Sequence, residues 1–219
     1  MKHSLFGVYW KTIAKIIRRK YIANTRKIFD YNNKFTLLCD NCMGGEIYNN
    51  LGLRFTSPTI NMHFQEYDFL KFVKNLPYYI NCQLSFFKDG LHSYPVARLD
   101  DIVLYFDHYK TENEAREKWE ERKTRIVWDN IYVAMNDLEL SDAQFEEYLK
   151  LSGGGITRKI MFTTDPKRSD ATDVEFIKMY KPNSYVRKYA VNKISGFRDF
   201  EIFFDYAAWL NGNEQFMKQ

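Results

Sequence analysis

Cysteine, histidine and proline are scarce in this chain, with three, four and five of them among 219 residues. Cys39, Cys42 and Cys82 cannot all pair within one chain, and no signal peptide stands ahead of them, so a reducing, cytoplasmic setting is expected. No apolar run approaches the roughly 18 to 20 residues that a spanning helix requires, which leaves a soluble or peripheral protein. Acidic residues are missing from one stretch: residues 1 to 27 hold eight Lys or Arg and no Asp or Glu. Those eight charges exceed the whole-chain total of +4, so the remainder stands at −4. A mildly acidic body argues against a nucleic-acid partner. Internal repeats, low-complexity tracts and Pro- or Ser-rich linkers are also missing.

What is present is a folding chain. Hydrophobic residues make up 45%, too many for a disordered segment, and the aromatic share of 17% favours strands and broad packed surfaces. Trp10, Ile13, Ile17 and Tyr21 recur at three- and four-residue steps among Lys11, Lys15, Arg18 and Arg19, the pattern of a basic amphipathic helix. Two placements suit it: docking on the body through the apolar stripe, or peripheral contact of residues 1–27 with an anionic membrane at the inner face. The expected organisation is this helix over 1–30 and a single α/β domain over 31–219.

Within that domain the pattern predicts a strand at Phe35 to Cys39, a turn with Gly44 and Gly45, and a short helix ending at Gly52. A strand at Thr59 to Phe64 and a helix from Glu66 stopped by Pro77 follow, then a strand at Leu84 to Phe87. Tyr94 to Leu99 and Ile102 to Tyr109 read as a hairpin about Asp100-Asp101, and Thr111 with Glu114 caps a charged helix. Further strands are expected at Asp129 to Met135, Lys159 to Thr164 and Phe176 to Tyr180. Ser141 should open one helix, and Phe203 to Leu210 form another. Alternating strands and helices predict a three-layer, Rossmann-like α/β fold, with a mostly parallel or mixed sheet and helices on both faces.

The chemistry concentrates after the first strand, where strand carboxyl ends and helix amino ends converge. Cys39-Asp-Asn-Cys42 has the spacing of a redox pair or half a zinc site, but no Trp or Pro accompanies it. Cys82, His63, His92 or His108 would have to complete a zinc site at unfamiliar spacing, so no metal is assigned. Asp100-Asp101 could hold a divalent ion on a sugar nucleotide, although a polar hairpin tip explains it more simply. Cys42 alone, before a helix amino terminus, suits a nucleophile whose base is His63 or His108, oriented by Asp40, Asp107 or Asn41. Its plain alternative is a small buried residue. Gly44 and Gly45 permit close approach to a phosphate, or simply make a tight turn.

Several blocks taken in order resemble an uncharacterised bacterial family of unknown function whose members are often labelled exopolysaccharide or capsular polysaccharide biosynthesis proteins. They are Asp40-Asn-Cys-Met-Gly-Gly-Glu-Ile-Tyr48, Leu51-Gly-Leu-Arg-Phe-Thr-Ser-Pro-Thr-Ile-Asn61, Tyr94-Pro-Val-Ala-Arg-Leu-Asp-Asp101, His108-Tyr-Lys110 and Trp119-Glu-Glu-Arg-Lys-Thr-Arg-Ile-Val-Trp-Asp-Asn130. The resemblance implies a setting, surface-glycan assembly, and no mechanism or cofactor. Within it a transferase acting on an activated sugar or glycan intermediate is expected. Asn41, Gly44 and Gly45 would bind the anion, Ser57, Thr59 and Asn61 line the pocket, Arg98 and Lys110 offset phosphate charge, and His63 or His108 move the proton. The alternatives are a Cys42-dependent acyltransferase or hydrolase, and a non-catalytic accessory protein of a membrane-associated assembly.

Overall fold

A computed structural model describes residues 5–177, 191–192 and 194–218, with side chains from residue 12 onward. Along the chain its elements are α1 (Leu5–Ile28), β1 (Thr36–Cys39), α2 (Met43–Leu51), α3 (Glu66–Lys74), α4 (Leu76–Asn81), β2 (Ser85–Phe87), β3 (Val96–Leu99) and β4 (Ile102–Tyr105). There follow α5 (Glu112–Lys123), β5 (Ile131–Asn136), α6 (Asp142–Leu149), β6 (Ile156–Thr163), a 3₁₀ turn at Pro166–Arg168, β7 (Val174–Phe176), α7 (Asp199–Phe203) and α8 (Tyr206–Leu210). The described residues group into two compact units. The larger comprises 34–45 and 54–177, the smaller 5–33, 46–53 and those from 191 onward.

In the larger unit β1, β5, β6 and β7 pair in parallel, in that spatial order. Every residue of β1 and β5 is buried, which explains why both read as unbroken apolar runs instead of alternating ones. The crossover from β5 to β6 carries α6, whose start is fixed by the Ser141 capping box with Gln144. Its end is held by Lys159 Nζ, which donates to the carbonyl oxygens of Tyr148, Leu149 and Leu151 at 2.8–2.9 Å. The α/β expectation holds, with the antiparallel strands in a sheet of their own, ordered β2-β3-β4. The β3–β4 hairpin turns at Asp100-Asp101, with Asp100 in the left-handed region at φ 59. Tyr78 and Tyr79 donate their hydroxyls to Asp100 and Asp101 at 2.6 and 2.7 Å, and Lys71 donates to Asp101 at 2.7 Å. Those carboxylates are occupied as a polar tip.

Four local expectations change. Thr59 to Phe64 is a turn, with Asn61 at φ 63 and only an isolated bridge between His63 and Tyr105, because Pro58 and the left-handed residue break the extended run. Pro77 opens α4 rather than ending a helix, since its missing N–H costs nothing in a first turn. The helix expected at Phe203 to Leu210 is divided between α7 and α8, where Phe204 leaves helical geometry to bridge Met217. Of the strand expected at Phe176 to Tyr180, Phe176 ends β7, and 178–180 lie outside the described residues.

The boundary expected at residue 30 is also redrawn, since 46–53 and the described residues from 191 onward join α1. Within this smaller unit Arg18 donates to Asn50 Oδ1 at 2.7 Å and pairs with the buried Glu201. Asn50 in turn donates to Glu201 at 2.8 Å and to the Tyr206 hydroxyl at 3.0 Å. Tyr21 meets the Phe197 ring edge-on at 5.1 Å. A buried polar network of this kind joins segments far apart in sequence, and α1 is docked by it. Lys15, Arg19, Lys20 and Lys27 remain exposed. Among the described residues no helix is long and apolar enough to cross a membrane.

Candidate functional site

Cys42 is placed by what holds its neighbours. After β1 the Asp40 carbonyl accepts the Phe64 N–H at 2.9 Å, tying the His63 segment to the end of the strand. Asn41 donates to Asp40 Oδ1 at 2.5 Å and accepts the Met43 N–H at 2.9 Å, closing the turn that starts α2. Cys42 lies between these two fixed points and stays partly exposed. His63 exchanges both backbone hydrogen bonds with Tyr105, at 2.9 and 3.0 Å, and its ring stacks on Tyr105 with centroids 4.7 Å apart. Ile60 completes the clamp: its carbonyl accepts from the Tyr109 hydroxyl at 3.0 Å and from buried Arg122 at 2.8 Å. These bonds bring the segment after β4 against the turn before α2.

The result is a thiol–imidazole contact across 66 residues of sequence, with Cys42 Sγ 3.2 Å from His108 Nε2. Asp107 Oδ2 lies 3.4 Å from His63 Nδ1 and 3.9 Å from His108 Nε2. The other oxygen, Asp107 Oδ1, is buried without a hydrogen-bond partner among the described residues. One ligand atom each from Cys42, Asp107 and His108 falls within 4.8 Å of the other two. Both histidines expected from the sequence therefore reach the site, with distinct places: His108 touches the thiol and His63 touches Asp107.

A family model described as a domain of unknown function (DUF1919) matches residues 13–211. The chain belongs to that family. It is similar to an uncharacterized protein of Haemophilus influenzae, 30% identical over 199 residues, which covers 89% of this chain and 92% of the relative. The span matched by the DUF1919 model includes Cys42, His63, Asp107 and His108.

Beneath the cysteine, Asp40 accepts the Asn136 backbone N–H at 3.1 Å and its side-chain N–H at 3.3 Å. Burial, reinforced by the nearby Glu66 charge, outweighs these bonds and pushes the Asp40 carboxyl up to about 8. The folded protein therefore keeps a proton that the unfolded chain has released, and stability falls as pH rises from the ordinary carboxylate range toward 8. The Asp40→Asn variant should lose that contribution. Urea unfolding of both proteins between about pH 5 and pH 8 would show a downward slope in the parent that is shallower in the variant. Parallel profiles would contradict the assignment.

Other expected site residues serve structure. Gly44 and Gly45 are buried, and a Cβ on them would stand 3.1 Å from Cys39 Sγ and 3.4 Å from Ile60 Cγ2, so small size is needed for close packing. The Gly44 amide meets the Cys39 thiol and the Met43 amide meets Asn41, which corrects the open anion cradle expected at this turn. Asn41 holds that turn instead of facing a ligand. Ser57 and Thr59 are fully buried, 3.1 Å apart, and Thr59 accepts the Cys39 N–H at 3.2 Å; they fasten β1 rather than line a pocket. Asn61 supplies the left-handed turn. Arg98 lies on β3 with its guanidinium over the Phe87 ring, 5.3 Å from the centroid.

Cys39 is wholly buried and outside any disulfide, and burial pushes its thiol up, which leaves the Cys39–Cys42 redox pair without support. Cys82 and His92 bond elsewhere, to the Tyr78 carbonyl and to Asp89. Lys110 does reach a cavity of about 430 Å³, lined also by Phe87, Lys88, His92, Tyr94 and Thr111. Tyr94 joins that cavity to the cluster, its ring 6.4 Å from that of His63. Asn136, Tyr105 and Tyr94 escaped the sequence reading because their roles depend on nonlocal partners. The only local signal was the position of Asn136 at the carboxyl end of a buried strand.

Proposed function

We propose that this chain is an acyl-transferring or acyl-hydrolysing enzyme with Cys42 as nucleophile and His108 as its base. The observation that carries the reading is the 3.2 Å separation of Cys42 Sγ and His108 Nε2, with the thiol at the amino end of α2. His108 takes the thiol proton as Sγ attacks the acyl carbon, and returns it to the departing oxygen or nitrogen, leaving the acyl group on sulfur. Water or an acceptor hydroxyl then releases the acyl group while His108 takes and returns that proton. Asp107, 3.9 Å from Nε2, stabilises the imidazolium through its charge, while His63 positions the carboxylate. Cys42 stands one residue before α2, whose Met43 and Gly44 amides are engaged by Asn41 and Cys39. The test is capture of an acyl adduct on Cys42 by intact-protein mass spectrometry with activated esters. Modification that persists in Cys42→Ser would remove the proposal.

The family resemblance supports surface-glycan assembly at the cytosolic face as the setting. A second reading, transfer of an activated sugar, draws on the cavity beside the cluster, whose Tyr94, His92 and Phe87 rings suit a sugar face and whose Lys88 and Lys110 suit its phosphates. Under that reading Lys110→Ala should weaken nucleotide-sugar binding by about tenfold or more, the loss expected for one charge-assisted hydrogen bond. Ligand-observed NMR that detects equal binding to parent and variant would discard it. The exposed cations of α1 support peripheral contact with anionic lipid as a further part of this setting.

A further inference from the structure

We infer that Cys42, Asp107 and His108 form a Zn²⁺ site, and that the bound ion blocks Cys42 as a nucleophile. The second half rests on the proposed function; the first does not. In a relay built only for proton transfer, thiol and carboxylate meet opposite nitrogens of the imidazole. Here both approach the same one: Sγ stands 3.2 Å and Asp107 Oδ2 3.9 Å from His108 Nε2. Three donors gathered around one point are the arrangement of a metal site.

The spacing suits zinc. Bond lengths of about 2.3 Å to sulfur and about 2.0–2.2 Å to nitrogen or oxygen place tetrahedral donors roughly 3.3–3.6 Å apart. The two separations from His108 Nε2, 3.2 and 3.9 Å, bracket that range and the sulfur lies within 4.8 Å of the carboxylate oxygen, so side-chain movements that draw the three donors inward complete the coordination. One thiolate, one imidazole and one carboxylate match Zn²⁺ better than Mg²⁺ or Ca²⁺, which favour oxygen alone. Exposure of over half the His108 side chain leaves a fourth position for water.

Two further features point to a cation. Asp107 Oδ1, buried and without a hydrogen-bond partner among the described residues, carries a desolvation cost that a bound cation would relieve. His63 Nδ1, 3.4 Å from Asp107 Oδ2 and held by its stack on Tyr105, is placed to orient the carboxylate from outside the coordination shell. When zinc binds, the thiol proton passes to solvent. The sulfur lone pair that would attack a carbonyl is donated to the metal instead.

The experiment titrates Zn²⁺ into the full chain after chelator treatment, with calorimetry for stoichiometry and Co²⁺ as a spectroscopic probe. Expected are one equivalent bound, a thiolate-to-cobalt charge-transfer band absent from Cys42→Ser, and loss of stoichiometric binding in His108→Ala. His63→Phe should weaken binding about tenfold while leaving the band, as for an orienting residue. Added Zn²⁺ should arrest iodoacetamide labelling of Cys42, and chelator should restore it. No stoichiometric binding, or binding unchanged in both ligand variants, overturns the site. Labelling that continues at the same rate with zinc bound overturns the blocking. Ligand-dependent zinc binding in a chain whose metal-free Cys42 accepts no acyl group would keep the site and discard the nucleophile; the reverse pair of results would discard the site alone.

Discussion

The His108→Ala variant is expected to acylate Cys42 about 10²–10⁴-fold more slowly than the parent, the range associated with loss of a positioned general base. His108 Nε2 is the group in contact with the thiol, and His63 reaches Asp107 instead. Over half of the His108 side chain is exposed, so its truncation removes little packing and the variant should fold normally. Iodoacetamide labelling below neutral pH reads the same contact without a substrate, because only a thiolate reacts quickly. Both time courses should slow together in the metal-free protein. Equal rates in parent and variant would mean that the imidazole does not activate the sulfur. Asp107→Asn should have a smaller effect, since a charge 3.9 Å away acts on the imidazolium without directly transferring the proton.

The second large effect concerns stability. In Gly155→Ala a Cβ would stand 1.6 Å from the Trp128 carbonyl oxygen and 2.8 Å from its carbon, in a residue held at φ +81. The left-handed conformation alone costs an L-residue roughly 1–2 kcal/mol. Backbone displacement to relieve the overlap adds roughly 1–3 kcal/mol. The displaced peptide lies where the Ile131 N–H meets the Gly155 carbonyl at 2.8 Å, next to the irregular register between β5 and β6. A total of roughly 2–5 kcal/mol corresponds to a thermal midpoint lowered by about 4–20 °C. Gly154→Ala is the matched control: its φ is +59, but nothing stands within 4 Å of the added atom, so only the conformational cost applies. Equal losses in the two variants would show that the Trp128 contact relaxes freely.

Much of the fold was legible because its signals are local. The Thr111 cap, the Ser141 helix start and the apolar runs of β1 and β5 each read correctly from a few neighbouring residues, while the Glu114 carboxylate accepts the Lys110 N–H instead of closing a box with Thr111. Thr59 to Phe64 misled because its composition suits a strand, whereas the Asn61 turn and the bonds from Tyr109 and Arg122 to Ile60 hold another path. The same limit governed the site. Cys42, His63 and His108 stood out by residue type, but nothing nearby in sequence said which histidine would meet the sulfur.

By itself the sequence determined the α/β class, the position of Cys42 between a buried strand and a helix start, and the short list of candidate partners for it. Tertiary structure alone decided that His108 faces the thiol, that His63 supports Asp107, and that the paired glycines serve packing. The physical reason is range. Periodicity and capping act over a few residues, whereas the clamp on Ile60 and the His63–Tyr105 exchange join segments separated by about 40 to 60 positions.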